Sequence, residues 1–186
     1  MGCSNGGGSP INSFALVSYL PDPLAGYLDR LRTELVTECH AKAHVTVLPP
    51  RPLGCAADDA WREILDGLQD FQPFRVELGQ IEIFPQTQVV YLSLNAGHAA
   101  LKRLHQALNA GCVAFEEPFD YHPHITLGQD LEPSKVSAAA DLAALRWREF
   151  AAPRWFEVDR LTLVQNTLQN RWMDLRGSLL SNRVTI

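Results

Sequence analysis

Two short segments of the sequence share the pattern His-x-Thr-x, with an apolar residue at each x. They are HVTV at residues 44–47 and HITL at residues 124–127. Side chains alternate between the two faces of a β-strand, so the histidine and the threonine of each segment lie on one face and the apolar pair on the other. A single His-x-Thr on a strand is ordinary. Its repetition at equivalent places along the chain indicates a functional site.

Two imidazoles and two hydroxyl groups suit displacement at phosphorus. His44 and His124 have ordinary pKa values near ~6.5, so one can act as a base while the other acts as an acid near neutral pH. The hydroxyl groups of Thr46 and Thr126 can donate to the non-bridging oxygens of a phosphodiester. In-line displacement needs these groups and little else. The pattern therefore predicts a phosphodiester site that requires no metal and no other cofactor.

Both motifs lie in short β-rich segments that are separated by amphipathic helices. Asp22-Pro23 provides a start signal for the first helix, in which Leu24, Leu28, Leu31 and Leu35 follow at helical spacing. The predicted helices are 24–37, 61–68, 101–108 and one that begins at Pro133. The predicted strands are 13–20, 43–48, 74–84, 88–94, 124–127, 155–164 and 171–175.

The order strand, helix, short strand, helix, strands occurs twice, with the two motifs 80 residues apart. This spacing is too long for a solenoid unit of ~20–50 residues and indicates duplication of a whole half. The predicted fold class is α+β, with helices on the outer faces of two sheets. The expected pseudo-repeats are about 13–86 and 87–180, preceded by a flexible tail at residues 1–12.

The composition excludes several other classes of protein. A chain of 186 residues with 46% apolar and 20% charged residues is neither disordered nor fibrous. No apolar run approaches the ~20 residues that cross a bilayer, so we expect no membrane contact. The net charge of −5 excludes a globally basic nucleic-acid coat but allows a local basic pocket for one phosphate. It favours a small or terminal substrate over a long RNA groove.

The cysteines and the start of the chain predict the compartment. Cys3, Cys39, Cys55 and Cys112 are scattered without a CxxC pair, and a core of this size needs no disulfide framework, so we expect reduced thiols. The start of the chain lacks the apolar stretch of a signal peptide. We therefore predict a cytoplasmic monomer.

The paired motifs resemble those of the 2H phosphoesterase superfamily, which includes the LigT-like 2′,5′ RNA ligases and cyclic phosphodiesterases. The resemblance extends from Ser13 to about Leu180 and includes Phe84, the stretch PHITLGQ at 123–129 and the late strand 171–175. It is greatest to an incompletely characterised bacterial branch, because Gly128-Gln129 follows the second motif. On this resemblance, residues 13–186 form one bilobal domain in which two antiparallel sheets line a central cleft.

The resemblance also implies an activity. Family members open 2′,3′-cyclic phosphates at RNA ends or on small nucleotides, or act on 2′,5′ linkages, and some join RNA. Carried over, His124 activates the water and His44 protonates the departing 3′ oxygen, while Thr46 and Thr126 bind the phosphate. The reverse division between the two histidines stays open, because the two motifs are equivalent. The expected partner is a nucleotide or RNA terminus with a cyclic phosphate or a 2′,5′ linkage.

Further residues are candidates for substrate binding. Well-studied RNA ligase members have an arginine shortly after the second motif, which this chain lacks, and Arg51 can supply that cation. The alternative is that Arg51 faces solvent between its two neighbouring prolines. Four aromatic residues can stack on a nucleobase or, alternatively, pack in the core. They are Phe84, Tyr91, Tyr121 and Trp172.

Two other functions compete with catalysis. His122 and His124, with Cys39, His40 and His44, suggest zinc, but no second cluster completes a closed tetrahedral set. The second alternative is a non-catalytic module that binds a nucleotide or an RNA end in the same cleft. Because a binding module has no need for two titrating groups, the two intact histidines favour the enzyme.

Overall fold

The computed structural model describes residues 9–36 and 42–180. These residues form eight strands, four α-helices and two short 3₁₀ turns. The strands are β1 (Pro10–Tyr19), β2 (His44–Arg51), β3 (Phe74–Ile83), β4 (Val90–Ala96), β5 (Ile125–Gly128), β6 (Trp155–Val158), β7 (Arg160–Thr167) and β8 (Trp172–Leu179). The helices are α1 (Leu24–Leu35), α2 (Ala57–Leu68), α3 (His98–Leu108) and α4 (Val136–Glu149), and the turns are Gly111–Val113 and Pro133–Lys135.

The strands form two four-stranded sheets. Sheet 1 has the order β2-β1-β7-β8, and sheet 2 has the order β5-β4-β3-β6. All neighbouring strands are antiparallel. The predicted α+β fold with two antiparallel sheets is therefore confirmed.

The two sheets do not follow the two predicted sequence halves. Sheet 2 is built from the continuous segment 74–158, whereas sheet 1 combines strands from both ends of the described chain. The repeat boundary placed at 86/87 falls between β3 and β4, two neighbouring strands of sheet 2. The late strand β7 lies beside β1 in sheet 1, where its buried side chains contribute to the core.

The helices connect the two sheets. Helix α1 follows β1 of sheet 1 but packs against β5 of sheet 2, and α3 follows β4 of sheet 2 but packs against β2 of sheet 1. Each helix buries a face of apolar side chains, and in α3 these include the leucines Leu101, Leu104 and Leu108 at helical spacing. A single continuous core therefore holds both sheets together.

The first strand begins earlier than predicted. Pro10–Asn12, placed in the flexible tail by the sequence, belong to β1, since Pro10 pairs with Thr167 and the amide of Gln165 donates to the Ile11 carbonyl at 2.9 Å. The tail boundary at residue 12 is therefore wrong by three residues. The rest of the predicted tail, residues 1–8, lies outside the described residues.

The prediction of reduced thiols is wrong for Cys55 and Cys112, which form a disulfide across 57 residues of sequence. It joins the loop after β2 to the 3₁₀ turn after α3. The expectation of reduced thiols was one basis for predicting a cytoplasmic protein, and the Cys55–Cys112 disulfide removes that basis. Cys3 and Cys39 lie outside the described residues. In the described part of the chain, none of the helices has the length and apolar character needed to span a membrane.

Candidate active site

The two motifs lie on the outermost strands of the two sheets. Strand β2 is an edge of sheet 1 and β5 an edge of sheet 2, and the two strands pack against each other. In the first motif Val45 and Val47 are buried in the core, which leaves the side chains of His44 and Thr46 on the other face. The second motif, in which His124 immediately precedes β5, repeats this alternation with Ile125 and Leu127 buried.

Both histidines are held in the same way. Nδ1 of His44 lies 2.6 Å from the carbonyl oxygen of Lys42, and Nδ1 of His124 lies 2.6 Å from the carbonyl oxygen of His122. A carbonyl oxygen only accepts, so Nδ1 carries the hydrogen in both rings. Nε2 of each neutral imidazole therefore carries the lone pair that can accept a proton, and Nε2 of each protonated imidazole has a proton to donate.

The second motif has a further internal hydrogen bond. Nε2 of His124 lies 3.1 Å from the hydroxyl oxygen of Thr126. This contact places the imidazole and the hydroxyl at one point of the surface, as the alternation of side chains predicted. A phosphate oxygen that binds there can contact both groups.

The environment lowers the pKa of both imidazoles in the free protein. Burial, which is the main cause, together with the charges of Arg32 and His124 lowers the pKa of His44 to about 4, against the Lys42 carbonyl, which raises it. Burial also lowers the pKa of His124, opposed by the His122 carbonyl. Strands β2 and β5 pack against each other, and a positive charge on His124 lowers the pKa of His44, so the structure brings the two motifs together.

Tyr19 and Asp174 form the surroundings of His44 on sheet 1. Tyr19 lies directly opposite His44 in the β1–β2 pair, with its ring edge-on to the imidazole at 6.4 Å. Its hydroxyl donates to a carboxylate oxygen of Asp174 at 2.5 Å, and the ammonium of Lys42 lies 5.2 Å from the centre of its ring. Burial and the Asp174 carboxylate raise the pKa of Tyr19. The sequence analysis did not identify this tyrosine.

An aromatic pair adjoins His124 on sheet 2. The rings of Phe84 and Tyr91 stack at 3.9 Å, and Phe84 meets the imidazole of His124 edge-on at 4.9 Å. Tyr91 is only 4% exposed, and its hydroxyl donates to Glu82 at 2.9 Å; burial and this bond raise its pKa to about 12. The core-packing alternative therefore holds for Tyr91, whereas Phe84 remains half-exposed beside the histidine.

The other two aromatic candidates have structural contacts. Tyr121 stacks on His105 at 4.0 Å and donates its hydroxyl to the Thr46 carbonyl at 2.7 Å, so one ring face and the hydroxyl are used within the protein. Trp172 packs beside a small buried cluster of sheet 1 and lies on β8, the edge strand opposite to β2. In the described part of the chain neither ring makes a ring contact with His44 or His124, although Trp172 shares its cluster with Tyr19, the cross-strand neighbour of His44.

Arg51 is not available to bind a phosphate. It is 3% exposed, and its guanidinium donates to Glu117, to the Asn109 side chain at 2.6 Å and to the Val113 carbonyl at 3.2 Å. Its Nε donates to the Pro49 carbonyl at 2.9 Å. Both expectations, a phosphate ligand or a solvent-facing residue, are wrong because acceptors distant in sequence enclose the cation.

A buried network that the sequence did not reveal supports the outer side of β2. His105, 8% exposed, places Nδ1 at 2.9 Å from the Val47 carbonyl and Nε2 at 3.7 Å from the Glu117 carboxylate that pairs with Arg51. The only pattern in the sequence is the seven-residue spacing of His98 and His105, which by itself predicts solvent-facing or capping residues on one helix. Leu101, Leu104 and Leu108 on the same helix place His105 in the core.

A polar pocket of about 370 Å³ continues the surface of sheet 2 beyond His124. His122 forms its rim, and its ring lies 6.4 Å from that of His124. The pocket wall contains amide and hydroxyl groups from β3 and β4, which are those of Gln80, Ser93 and Asn95. Its position makes it an extension of the same site.

The zinc alternative gains no support from the described residues. Within residues 9–36 and 42–180, no three histidine, cysteine, aspartate or glutamate side chains cluster so that they could hold a metal ion. Cys39 and His40, which that alternative included, lie outside the described residues.

Comparison with known proteins identifies relatives over most of the chain. A model of the 2′-5′ RNA ligase superfamily matches residues 20–170. Two curated relatives carry the word phosphoesterase in their names. One, from Geobacillus kaustophilus, is 25% identical over 55% of this chain, and the other, from Geobacillus thermodenitrificans, is 27% identical over 48%. The matched parts span 57% and 49% of those relatives, about half of their length.

Solved structures share the fold. Escherichia coli LigT in complex with 3′-AMP superposes with a TM-score of 0.63 at 17% identity, over 92% of this chain and 99% of LigT. The same enzyme in complex with phosphate gives a TM-score of 0.60 at 16% identity, over 94% and 100%. At this identity the likeness establishes the two-sheet architecture.

Proposed function

Because this chain belongs to the 2′-5′ RNA ligase superfamily, we propose that it is a phosphoesterase that hydrolyses 2′,3′-cyclic phosphates at RNA ends or on small nucleotides. His44 and His124 exchange protons with the substrate, and Thr46 and Thr126 bind the phosphate. The substrate class also includes 2′,5′-linked ends. Joining of RNA is the same displacement with a 5′-hydroxyl in place of water: its oxygen bonds to phosphorus, the P–O3′ bond breaks, and a 2′,5′ linkage forms. The reaction uses no metal.

One observation carries this proposal. The strands that carry the two motifs pack against each other, and His44 and His124 each donate Nδ1–H to a carbonyl oxygen at 2.6 Å. With Nδ1 held by the backbone, Nε2 of each ring is the atom that can exchange a proton, and two such rings supply an acid and a base. The phosphoesterase names of the Geobacillus relatives and the phosphate and 3′-AMP complexes of LigT support the same substrate class.

The chemical step follows from these groups. One neutral imidazole removes a proton from water as the water oxygen forms its bond to phosphorus. The P–O3′ bond breaks, and the other, protonated imidazole donates its proton to the 3′ oxygen, which leaves a 2′-phosphate. The threonine hydroxyls donate to the non-bridging oxygens, where negative charge is concentrated. Solvent then restores the two protonation states.

The nucleoside has a place beside the phosphate. Phe84 offers a half-exposed ring next to His124, and the polar pocket at His122 continues from it with Gln80 and Asn95 in its wall. Base stacking on an aromatic ring tolerates any base, and amide groups add hydrogen bonds. We therefore expect the nucleoside to lie over sheet 2.

A turnover assay tests the proposed function. Purified protein is incubated with 2′,3′-cyclic AMP and excess EDTA, and the products are separated by chromatography. We expect 2′-AMP to form at a rate that the chelator does not change, because the motifs supply protons and donors instead of metal ligands. Binding without product would indicate a non-catalytic module. Loss of turnover with EDTA that one divalent ion restores would contradict a metal-free reaction.

Thr46→Val and Thr126→Val are expected to weaken catalysis much more than folding. Valine keeps the branched shape and the strand preference, so each change mainly removes one donor. Removal of an oxyanion donor costs roughly 10²–10³ in rate, and less where the phosphate is already charged in the ground state. We expect a loss of about 10- to 100-fold in kcat/KM for each variant, which is about 1.4–2.7 kcal/mol.

Thr162→Val provides the matched control. Thr162 lies on β7 of sheet 1, beside Val17, which in turn pairs with Thr46. It is a buried strand threonine on the same face, two strands away from the first motif. Its kcat/KM should equal that of the wild type. If Thr46→Val and Thr126→Val also equal the wild type, the threonines are strand residues without a role in phosphate binding.

A further inference from the structure

Arg32 lies behind His44, on the side of the imidazole that carries Nδ1. It is the buried cation of α1, with 6% of its surface exposed. Its guanidinium donates to the Lys42 carbonyl at 3.2 Å, and that carbonyl is also the acceptor for Nδ1–H of His44 at 2.6 Å. Arginine and imidazole therefore share one acceptor.

This contact makes the two otherwise equivalent histidines different. An arginine keeps its charge at any pH of interest, so a permanent positive charge lies behind the His44 ring. The group behind His124 is His122, whose own pKa is lowered, chiefly by burial, so that it is neutral at neutral pH. The Arg32 guanidinium also donates to the Lys42 carbonyl, and this second hydrogen bond makes that oxygen a weaker acceptor for Nδ1–H of a protonated His44. His44 is therefore the less readily protonated of the pair.

We propose that Arg32 is a positioning residue that holds the Lys42 carbonyl against His44 and thereby assigns the role of base to His44. His124 is then the acid that protonates the 3′ oxygen. This division is the reverse of the one that the family resemblance implied. It rests on the proposed function, whereas the effect of Arg32 on His44 exists in the free protein and can be measured without substrate.

Other charged and titratable groups also face His44, and the test must separate Arg32 from them. Helix α1 contributes Asp29, whose carboxylate accepts the Ala43 amide at 2.6 Å, and the opposite sheet contributes His124. The remaining groups are Lys42 before β2, Tyr19 on β1 and Asp174 on β8. A variant in which only Arg32 is replaced keeps all of these side chains.

The first experiment follows the titration of His44 and His124 by NMR in the full-length protein. Arg32→Gln removes the charge and keeps an amide donor, Arg32→Met removes both and keeps an unbranched side chain, and Arg32→Lys keeps the charge. We expect the midpoint of His44 to rise by about 0.5–1 pH unit in the first two variants, because a positive charge no longer opposes protonation. Arg32→Lys should return it toward the wild-type value, and the midpoint of His124 should change less.

The matched control is Arg30→Gln, which removes an exposed arginine from the same helix and gives the same change in net charge. It should leave the His44 midpoint unchanged. An unchanged midpoint in Arg32→Gln and Arg32→Met, or a shift in Arg32→Lys as large as in Arg32→Gln, would overturn the proposal. Because three side chains are compared, failure of one variant to fold leaves the others as a test.

The second experiment measures the pH dependence of kcat/KM, which reports groups of the free enzyme. A base must be neutral, so protonation of His44 produces the fall in rate on the acid side, near pH 4 in the wild type. Loss of the Arg32 charge should move that acid limb to higher pH, by the same amount as the NMR titration midpoint of His44. At a pH of about 4.5 the rate should then fall about threefold for a shift of about one unit. If the alkaline limb moves instead, His44 is the acid and the assignment is wrong.

Discussion

Replacement of either His44 or His124 by alanine is expected to reduce kcat/KM by about 10²–10⁴-fold, the range that a general acid or base contributes. Each imidazole lies on the face opposite to the buried pair of its motif, so its removal opens no cavity in the core. We therefore expect the melting temperature to stay within a few degrees of the wild type. Steady-state kinetics on a 2′,3′-cyclic nucleotide, with thermal unfolding in parallel, measures both.

The double variant provides an internal control. Groups that act in the same step give effects that do not add, because loss of the base already disables the pathway in which the acid works. His44→Ala with His124→Ala should therefore be little slower than the slower single variant. A single variant that retains activity within a few-fold of the wild type would contradict the two-histidine mechanism.

Arg51→Ala is expected to have the largest effect on stability. It leaves the carboxylate of Glu117, which is 11% exposed, without its main partner, and removal of one partner from a buried pair costs about 3–5 kcal/mol. For a chain of this length, that lowers the melting temperature by about 10 °C. Calorimetry or thermal unfolding by circular dichroism measures the change.

Two further variants test the origin of that loss. Arg62→Ala breaks an exposed pair with Asp59, 2.7 Å apart, and should change stability by less than about 1 kcal/mol. Arg51→Met combined with Glu117→Leu removes both charges and should be less destabilising than the sum of the single changes. If Arg51→Ala unfolds like the wild type but loses substrate affinity, Arg51 binds phosphate after all.

The part of the site that the sequence could reveal is the part that depends on strand alternation. His44, Thr46, His124 and Thr126 could be found because a two-residue period determines which side chains share a face, and because the pattern occurs twice. Their meeting across two sheets needed only that the second half repeat the first. The contacts of Nδ1 with backbone carbonyls follow from the fold and have no sequence signal.

Arg51 could not be placed from the sequence. Its neighbours Pro49, Pro50 and Pro52 suggest an exposed turn, but Asn109, Val113 and Glu117, which accept its hydrogen bonds, are 58, 62 and 66 residues away. Tertiary structure determines whether such an arginine meets water or a carboxylate. Arg32 was missed for a similar reason, because an arginine on an amphipathic helix is expected on the exposed face.

The strands and helices were largely predictable, and their assembly into sheets was not. Hydrophobic periodicity indicated most elements, with β1 beginning earlier than predicted, at Pro10. The single strand predicted at 155–164 is wrong, because the structure has two strands there, β6 and β7, which belong to different sheets. The duplicated order does not reveal which strands share a sheet. Strand β7, from the late part of the chain, pairs with β1 from its early part, and such long-range pairing has no local signal.

The interrupted construction of sheet 1 affects the order in which the chain can fold during synthesis. A chain made from its N-terminus releases β1 and β2 from the ribosome first, but β1 meets its second neighbour only after residues 160–167 have been made. Sheet 2 comes from the continuous segment 74–158 and needs no later strand. Contacts between distant parts of a chain also form slowly. His44 is therefore synthesised before His124, yet the sheet that supports it is completed last.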